Sequence, residues 1–315
     1  MPLDKVKRTT VYAALGLRKG VSELLWSYRK KYSMEEFPAY LDDHPLPILT
    51  RVEQEIKNGM KTADIVIAPH YLLLMMKKRG LLGSYRSPEL SAHPSWAQNS
   101  SWVGIGVTTM FPSYNTSLAR GKLPGDFDDL IRRYSKGGLA SQAFTTSSAG
   151  NLTTLYFAAL RRVLGERAWS SMIDKISGEK QPKTYDCIDH LLQAVARGDH
   201  SVAITVYSLA YERMREEKAP IAQLVIPELP VLWTLTSAGL VKGAEDRLPP
   251  RHFIDFLLSR EGQRKLGRIR GITPSRSDLL QRSGLKLDPS RFFPLTKEVD
   301  QMPSLTKKLA QMGLK

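Results

Sequence analysis

Hydrophobic positions along the chain follow two spacings, and these spacings predict its secondary structure. Short apolar runs rich in β-branched residues predict strands, whereas apolar positions three and four residues apart predict amphipathic helices. The predicted strands are residues 9–17, 63–68, 102–109, 201–206, 222–226 and 232–240. The predicted helices are residues 20–32, 48–60, 71–79, 127–134, 151–164, 166–176, 188–196, 211–218 and 252–268. This alternation indicates an α/β fold in which mostly parallel sheets are flanked by helices.

Two of the apolar runs differ from flat central strands. Residues 102–109 contain Gly104 and Gly106, which suit a bend or a crossing strand, and residues 232–240 form a second run that could cross back. Residues 276–315 are polar and punctuated by proline, so we expect a tail with a final amphipathic turn or two. The chain shows no internal repeat.

Candidate binding residues follow the predicted strands. In parallel α/β sheets, ligands bind beyond the carboxyl ends of the strands. Arg18 follows the first strand, His70 follows residues 63–68, and Tyr207 and Ser208 follow residues 201–206. We therefore expect these four residues to line a ligand site.

A cluster of small polar residues precedes the predicted helix 151–164. Thr146, Ser147, Ser148 and Gly150 place hydroxyls and bare amides at the start of that helix. The dipole makes a helix N-terminus partly positive, so such a cluster can cradle a small anion. The alternative is an ordinary helix cap, because serine and threonine are common at that position.

The net charge, the single cysteine and the absence of catalytic motifs narrow the class of function further. Lysine plus arginine number 46 against 31 aspartates and glutamates, and the net charge of +15 favours an anionic partner. The single Cys187 excludes an internal disulfide and any multi-cysteine metal cluster. No hydrolase, Walker or H-E-x-x-H motif occurs, so we expect no catalysis and no cofactor. Asp186, Asp189 and His190 could be a solvated helix face as easily as a metal site, and no bound metal is expected.

Export and membrane signals are weak. No stretch approaches the roughly 20 apolar residues that a membrane span needs. Basic residues precede the apolar run 11–17, but no small-residue cleavage site follows, so this run is interpreted as a buried strand. We expect that any export signal was either removed from this chain or never present.

Several motifs, weak singly but ordered along residues 9–280, resemble the family 1 extracellular solute-binding proteins of ABC transporters. The motifs are ADIVI at 63–67, LLGSYRSPE at 81–89, WVG at 102–104, YNT at 114–116, GDHSVAI at 198–204, AGLVKGA at 238–244, FLLSREGQ at 256–263 and GITP at 271–274. They are most similar to the subgroup that binds ferric iron, phosphonates and sugar phosphates.

The resemblance implies the type 2 periplasmic-binding-protein fold, with two α/β lobes joined by two crossing strands and the ligand held between them. Residues 1–104 with 239–315 would form one lobe, and residues 105–238 the other. It also implies a monomeric protein, periplasmic or at the cell surface, that captures a small anionic ligand for an ABC transporter permease.

One departure from the family concerns iron. Ferric-binding members carry two adjacent tyrosines after the strand that 201–206 resembles, whereas here Tyr207 is followed by Ser208, with Tyr211 four residues on. This difference favours an oxyanion over iron, although a ferric-ion-binding protein remains an alternative.

A cytoplasmic ligand sensor on the same fold is another alternative. A basic nucleic-acid-binding protein is the alternative from a different class, but it is supported by charge alone and no nucleic-acid partner is expected.

Overall fold

The computed structural model describes residues 9–15, 18–34, 36–119, 123–134, 139–142, 152–178 and 183–311. The chain divides into two compact units, and each unit is built from two separate segments. Unit 1 comprises Met1–Val107 and Leu235–Lys286, and unit 2 comprises Thr108–Thr234 and Leu287–Lys315.

Helices and strands alternate along most of the described chain. The helices are α1 Arg18–Lys31, α2 Pro45–Lys57, α3 His70–Lys78, α4 Phe127–Tyr134, α5 Leu152–Leu164, α6 Glu166–Gly178, α7 Ile188–Arg197, α8 Ser208–Glu216, α9 Leu248–Leu258, α10 Arg260–Leu266, α11 Ser277–Ser283 and α12 Thr296–Gln311. The strands are β1 Thr10–Ala13, β2 Ala39–Asp42, β3 Ile65–Pro69, β4 Val103–Asn115, β5 Leu139–Gln142, β6 Lys183–Tyr185, β7 Val202–Tyr207, β8 Ile221–Gln223, β9 Leu232–Leu240 and β10 Thr273–Pro274.

Unit 1 is organised around a mixed sheet. β1 pairs in parallel with β2 and β3, β3 pairs antiparallel with β9, and the short β10 pairs antiparallel with β4. β1 and β3 are apolar because their side chains are buried on both faces. Tyr28 of α1 donates a hydrogen bond to the carbonyl oxygen of Pro249 at 2.8 Å and lies against Phe253, which fixes α1 on α9.

Unit 2 contains its own set of strands and its own core. The second half of β4 pairs antiparallel with β7 and β8, and β5 pairs in parallel with β7 and β6. Buried side chains from β4, β7, β8, α7 and α8 form one cluster: Phe111, Leu191, Leu192, Val195, Ala203, Val206, Ala210, Met214 and Ile221. The apolar face of α7 therefore covers one side of this sheet.

The carboxy-terminal segment differs from the sequence prediction. Residues 287–315 were assigned to the first lobe, but they cluster with unit 2, so the chain passes between the units at a third point. The tail contains the 16-residue helix α12, which has Pro303 inside it. It belongs to unit 2 because Arg162 of α5 donates a 2.8 Å hydrogen bond to Glu298, and Thr306 donates one to Thr154.

Other elements are shorter, longer or additional compared with the prediction. The first strand covers only Thr10–Ala13, and α1 begins earlier than predicted. The predicted helix 252–268 is two helices, because Ser259 adopts an extended conformation and its hydroxyl accepts a hydrogen bond from the amide of Gly262. The strands β2, β5 and β6 were not predicted.

Candidate functional site

In unit 2, the carboxyl ends of three parallel strands meet at one edge of the sheet. β7, β5 and β6 run in the same direction and end at Tyr207, Gln142 and Tyr185. Ligands of parallel α/β sheets bind beyond this edge. The predicted binding residues Tyr207 and Ser208 lie at this edge.

Tyr207 and Ser208 mark the junction between β7 and α8. Tyr207 is the last residue of β7 and the N-cap residue of α8, and Ser208 is the first residue of that helix. Both side chains are buried. The hydroxyl oxygen of Ser208 accepts a hydrogen bond from the backbone amide of Thr109 at 3.1 Å, which ties the start of α8 to β4.

A second helix begins beside the same strand. Thr153 lies in the first turn of α5, and its hydroxyl lies 3.3 Å from that of Thr205, two residues before the end of β7. Both threonines are fully buried, so this contact fixes the start of α5 against β7. The N-terminal ends of α5 and α8 therefore both lie near the last residues of β7. The predicted residues Thr146, Ser147, Ser148 and Gly150 lie outside the described residues.

Thr108 is a polar residue at this edge that the sequence reasoning missed. It lies on β4 next to Thr109, whose backbone amide donates a hydrogen bond to the hydroxyl of Ser208. The Thr108 hydroxyl is buried and has no hydrogen-bond partner among the described residues. A buried hydroxyl without a partner is costly, and it calls for a water or a ligand. The strand 102–109 was predicted, but the sequence could not show that β4 pairs with β7 or that the Thr108 hydroxyl is buried.

In unit 1, β1, β2 and β3 end together at Ala13, Asp42 and Pro69. Arg18 was predicted in a loop after the first strand, but the structure places it at the first residue of α1. The first turn of α1 contains no acidic residue. The side chain of Arg18 lies outside the described residues.

His70 is buried in unit 1 and is not an exposed loop residue. It is the first residue of α3, its Nδ1 lies 3.1 Å from the hydroxyl of Ser237, and its ring meets Trp102 edge-on at 4.4 Å. Burial lowers the pKa of His70 to about 3. The imidazole is therefore neutral near pH 7, so His70 provides no positive charge for an anion.

Two carboxylates lie at the same edge of unit 1, and the sequence reasoning overlooked both. Asp42 ends β2 and Asp43 follows it, with one Asp43 oxygen accepting a 2.7 Å hydrogen bond from the amide of His44. Oδ1 of Asp42 is buried and has no hydrogen-bond partner among the described residues. Both residues were overlooked because β2 is a half-buried edge strand of only four residues, so no strand was predicted to end there.

Tyr211 does not stand in for a second tyrosine beside Tyr207. Its ring meets Phe111 edge-on at 5.1 Å and packs against the core of unit 2. Burial raises the pKa of Tyr211, so the phenolate that Fe³⁺ prefers is disfavoured at this position.

The chain is similar to proteins that bind solutes outside the cytoplasm. A family model described as bacterial extracellular solute-binding protein matches residues 9–268. No curated protein sequence matches the chain. Among the described residues, no helix has both the length and the apolar character needed to cross a bilayer.

Solved structures share the fold over almost the whole chain. A substrate-binding protein of an ABC transporter from Agrobacterium tumefaciens superimposes with a TM-score of 0.79 at 14% identity, covering 100% of this chain and 97% of that one. Iron-bound HitA from Pseudomonas aeruginosa gives 0.74 at 16% identity, covering 97% and 99%. AfuA from Actinobacillus pleuropneumoniae, a periplasmic binding protein solved with fructose-6-phosphate, gives 0.70 at 19% identity, covering 96% of each chain. The predicted fold class, an α/β fold of the two-lobed periplasmic-binding-protein kind, is confirmed.

Proposed function

Because the chain belongs to the bacterial extracellular solute-binding protein family, we propose that it captures a small anion and delivers it to the permease of an ABC importer. The anion would carry a phosphate, phosphonate or carboxylate group. The observation that carries this proposal is the meeting of two helix N-termini, those of α5 and α8, at the carboxyl end of β7.

Helix N-termini attract anions for two reasons. Their first amides have no partner within the helix, and the aligned peptide dipoles leave this end partly positive. Tyr207 and Ser208 add a phenol and a hydroxyl at the start of α8, and Thr108 adds a buried hydroxyl close by. We propose that Thr146, Ser147, Ser148 and Gly150 complete the cradle before α5.

In unit 1, we propose that the start of α1 takes part in ligand binding. A cation in the first turn of a helix opposes the helix dipole at a cost of about 0.3–1 kcal/mol. Arg18 is the first residue of α1, and no acidic residue lies in the first turn. In this proposal Arg18 supplies a positive charge for the anion. The neutral imidazole of His70 positions Ser237.

The role of Ser208 can be tested by calorimetric titration with inorganic phosphate, a hexose phosphate and citrate. A hydrogen bond to a charged group contributes about 1.5–3 kcal/mol, so Ser208→Ala should weaken binding of the preferred anion roughly ten- to a hundredfold. Ser113→Ala is the matched control, because that buried serine of β4 donates to the carbonyl of Ala222 and lies away from the strand end. Equal affinities in both variants would contradict the assignment of Ser208.

The cradle before α5 has its own test. If Ser147 and Ser148 bind the anion, Ser147→Ala and Ser148→Ala should each lower affinity by a similar factor, with a smaller effect on melting temperature. If these residues only cap α5, each substitution should remove about 1 kcal/mol of fold stability and leave affinity unchanged. Unchanged affinity in both variants would remove these residues from the proposed site.

Ferric-ion binding is the second candidate function. The unpartnered oxygen of Asp42 and the neighbouring Asp43 favour it, because hard cations take oxygen ligands. The single Tyr207 with Ser208 after it argues against it. We expect no tyrosinate–iron charge-transfer band when ferric citrate is added to the protein. A stoichiometric band would favour iron over the anion.

We propose that capture takes place in the periplasm or at the cell surface and involves no chemical turnover of the ligand. The family match and the periplasmic neighbours support this location. A cytoplasmic ligand sensor on the same fold is the alternative. Fractionation of cells that express the native gene, followed by immunoblotting, distinguishes the two. We expect the protein in the periplasmic or cell-surface fraction and no more than a trace of it in the cytoplasmic fraction.

A further inference from the structure

A group of metal-ligating side chains lies at the start of α7 in unit 2. Asp186, Cys187 and His190 each offer one ligand atom, and these atoms all lie within 4.8 Å of one another. Carboxylate oxygen, thiolate sulfur and imidazole nitrogen are the donor types that Zn²⁺ takes in proteins. We propose that these three residues form a surface site for Zn²⁺ or a similar borderline-soft divalent cation, independent of the solute that the protein captures.

The local backbone leaves the cysteine sulfur available. Cys187 occupies the N-cap position of α7 in an extended conformation, with φ −146° and ψ 161°, and its side chain makes no capping hydrogen bond. Asp186 precedes it, and His190 lies one turn along, four residues after Asp186. Nδ1 of His190 and Oδ1 of Asp186 are 2.6 Å apart. The three side chains thus come from one short stretch and need no distant element to bring them together.

The distances suit a metal ion after small side-chain rotations. Zn–N and Zn–O bonds are about 2.0–2.2 Å and Zn–S bonds about 2.3 Å, so tetrahedral ligand atoms lie about 3.3–3.6 Å apart. This separation falls between the 2.6 Å contact of Asp186 with His190 and the 4.8 Å limit of the group. Asp186 and His190 are both more than half exposed, so a fourth position is open to water.

Charge balance also favours a divalent ion here. The start of α7 is the positive end of a helix dipole and repels a cation, so the ligands must supply negative charge. A carboxylate and a thiolate together neutralise the two positive charges of Zn²⁺.

Asp189, in the same turn of α7, is not part of the group. Its carboxylate accepts a hydrogen bond from the guanidinium of Arg213 on α8. The sequence reasoning grouped Asp189 with Asp186 and His190 and overlooked Cys187. In the structure the group contains Cys187 and not Asp189, so it offers oxygen, sulfur and nitrogen donors.

Zinc titration of the full chain tests the proposal. Reduced, chelator-stripped protein would be titrated with Zn²⁺ against a chromophoric chelator, and we expect one equivalent to bind. Loss of a residue that only supports a ligand weakens metal binding about 10–100-fold, so Cys187→Ser and His190→Gln should each weaken it at least that much. Asp189→Asn is the matched control and should bind as the wild type does.

Cobalt identifies the ligand set directly. Co²⁺ in place of Zn²⁺ should give a thiolate-to-cobalt charge-transfer band in the wild type and in Asp189→Asn, and no such band in Cys187→Ser. All three substitutions lie on the surface, so melting temperatures without metal should stay close to the wild-type value. Failure to bind one equivalent of Zn²⁺, or the same affinity in Cys187→Ser as in the wild type, would overturn the proposal.

Discussion

Burial determines what His70 can contribute at the residue scale. A free histidine titrates near pH 6.5, but this one is enclosed by Ser237 and Trp102, and burial lowers its pKa to about 3. Its place after β3 made it a candidate anion partner in the sequence. In the structure the same place is part of the core, and the imidazole holds Ser237 of β9 next to the start of α3.

The buried His70 predicts acid sensitivity. Below pH 6.5 the unfolded chain protonates this histidine, whereas the folded chain keeps it neutral down to about pH 3. The unfolded state therefore binds more protons, and stability falls as pH falls, by about 2 kcal/mol between pH 7 and pH 5 from this group. His70→Asn removes the titration, so urea denaturation at pH 7, 6 and 5 should show a smaller loss in the variant. Burial also lowers the pKa of His93, but this histidine is present in both the wild type and the variant. Equal losses in the two would contradict this account.

At the element scale, the glycines of β4 are explained by close packing. A Cβ atom on Gly106 would lie 2.4 Å from Cγ2 of Ile272, and one on Gly104 would lie 2.9 Å from a methyl group of Leu235. The sequence pattern predicted a bent or crossing strand from these glycines. The structure shows that both positions lack room for a side chain.

This packing predicts a cost for a single methyl group. Gly106→Ala should destabilise unit 1 by about 1–3 kcal/mol, since overpacking of a filled site forces its neighbours to shift. Gly125→Ala is the control, because a Cβ atom there meets nothing within 4 Å. Guanidinium denaturation of both variants checks the prediction, and a Gly106→Ala protein as stable as Gly125→Ala would refute it.

The helix α12 predicts that the end of the chain stabilises unit 2. Leu309 is fully buried in α12, and Leu295, just before this helix, is exposed. Leu309→Ala should therefore cost about 2–5 kcal/mol, as buried leucines do when truncated. Leu295→Ala should stay within about 0.5 kcal/mol of the wild type. Similar midpoints of chemical denaturation for the two variants would show that α12 does not pack as described.

The sequence predicted those elements that have a strong apolar pattern. β3 and β7 are continuous apolar runs, and α5 has a clear helical spacing, so all three were found. β2 was missed because its four residues are all half-buried, and α12 because Pro303 lies inside it. For the site, strand ends indicated Tyr207 and Ser208, but they could not reveal the buried hydroxyl of Thr108, since that depends on the register of β4 with β7.

At the scale of the whole molecule, the net charge of +15 is the main reason to consider nucleic acid as a partner besides a small anion. Scattered basic residues without a nucleic-acid module should give only weak DNA binding without sequence preference, and it should fall steeply as salt releases counterions. Fluorescence anisotropy with random and defined duplexes from 50 to about 200 mM salt measures this. Tight, sequence-selective binding at the upper salt concentration would contradict the proposal of solute capture.

Native mass spectrometry of gently purified protein tests the central claim most directly, because it identifies a bound ligand without a prior choice of probe. The account predicts one small molecule per chain, with a phosphate, phosphonate or carboxylate group. The same molecule should be lost more readily from Ser208→Ala than from Ser113→Ala. A chain that carries one ferric ion and no such anion, or that loses the ligand equally from both variants, would contradict the account.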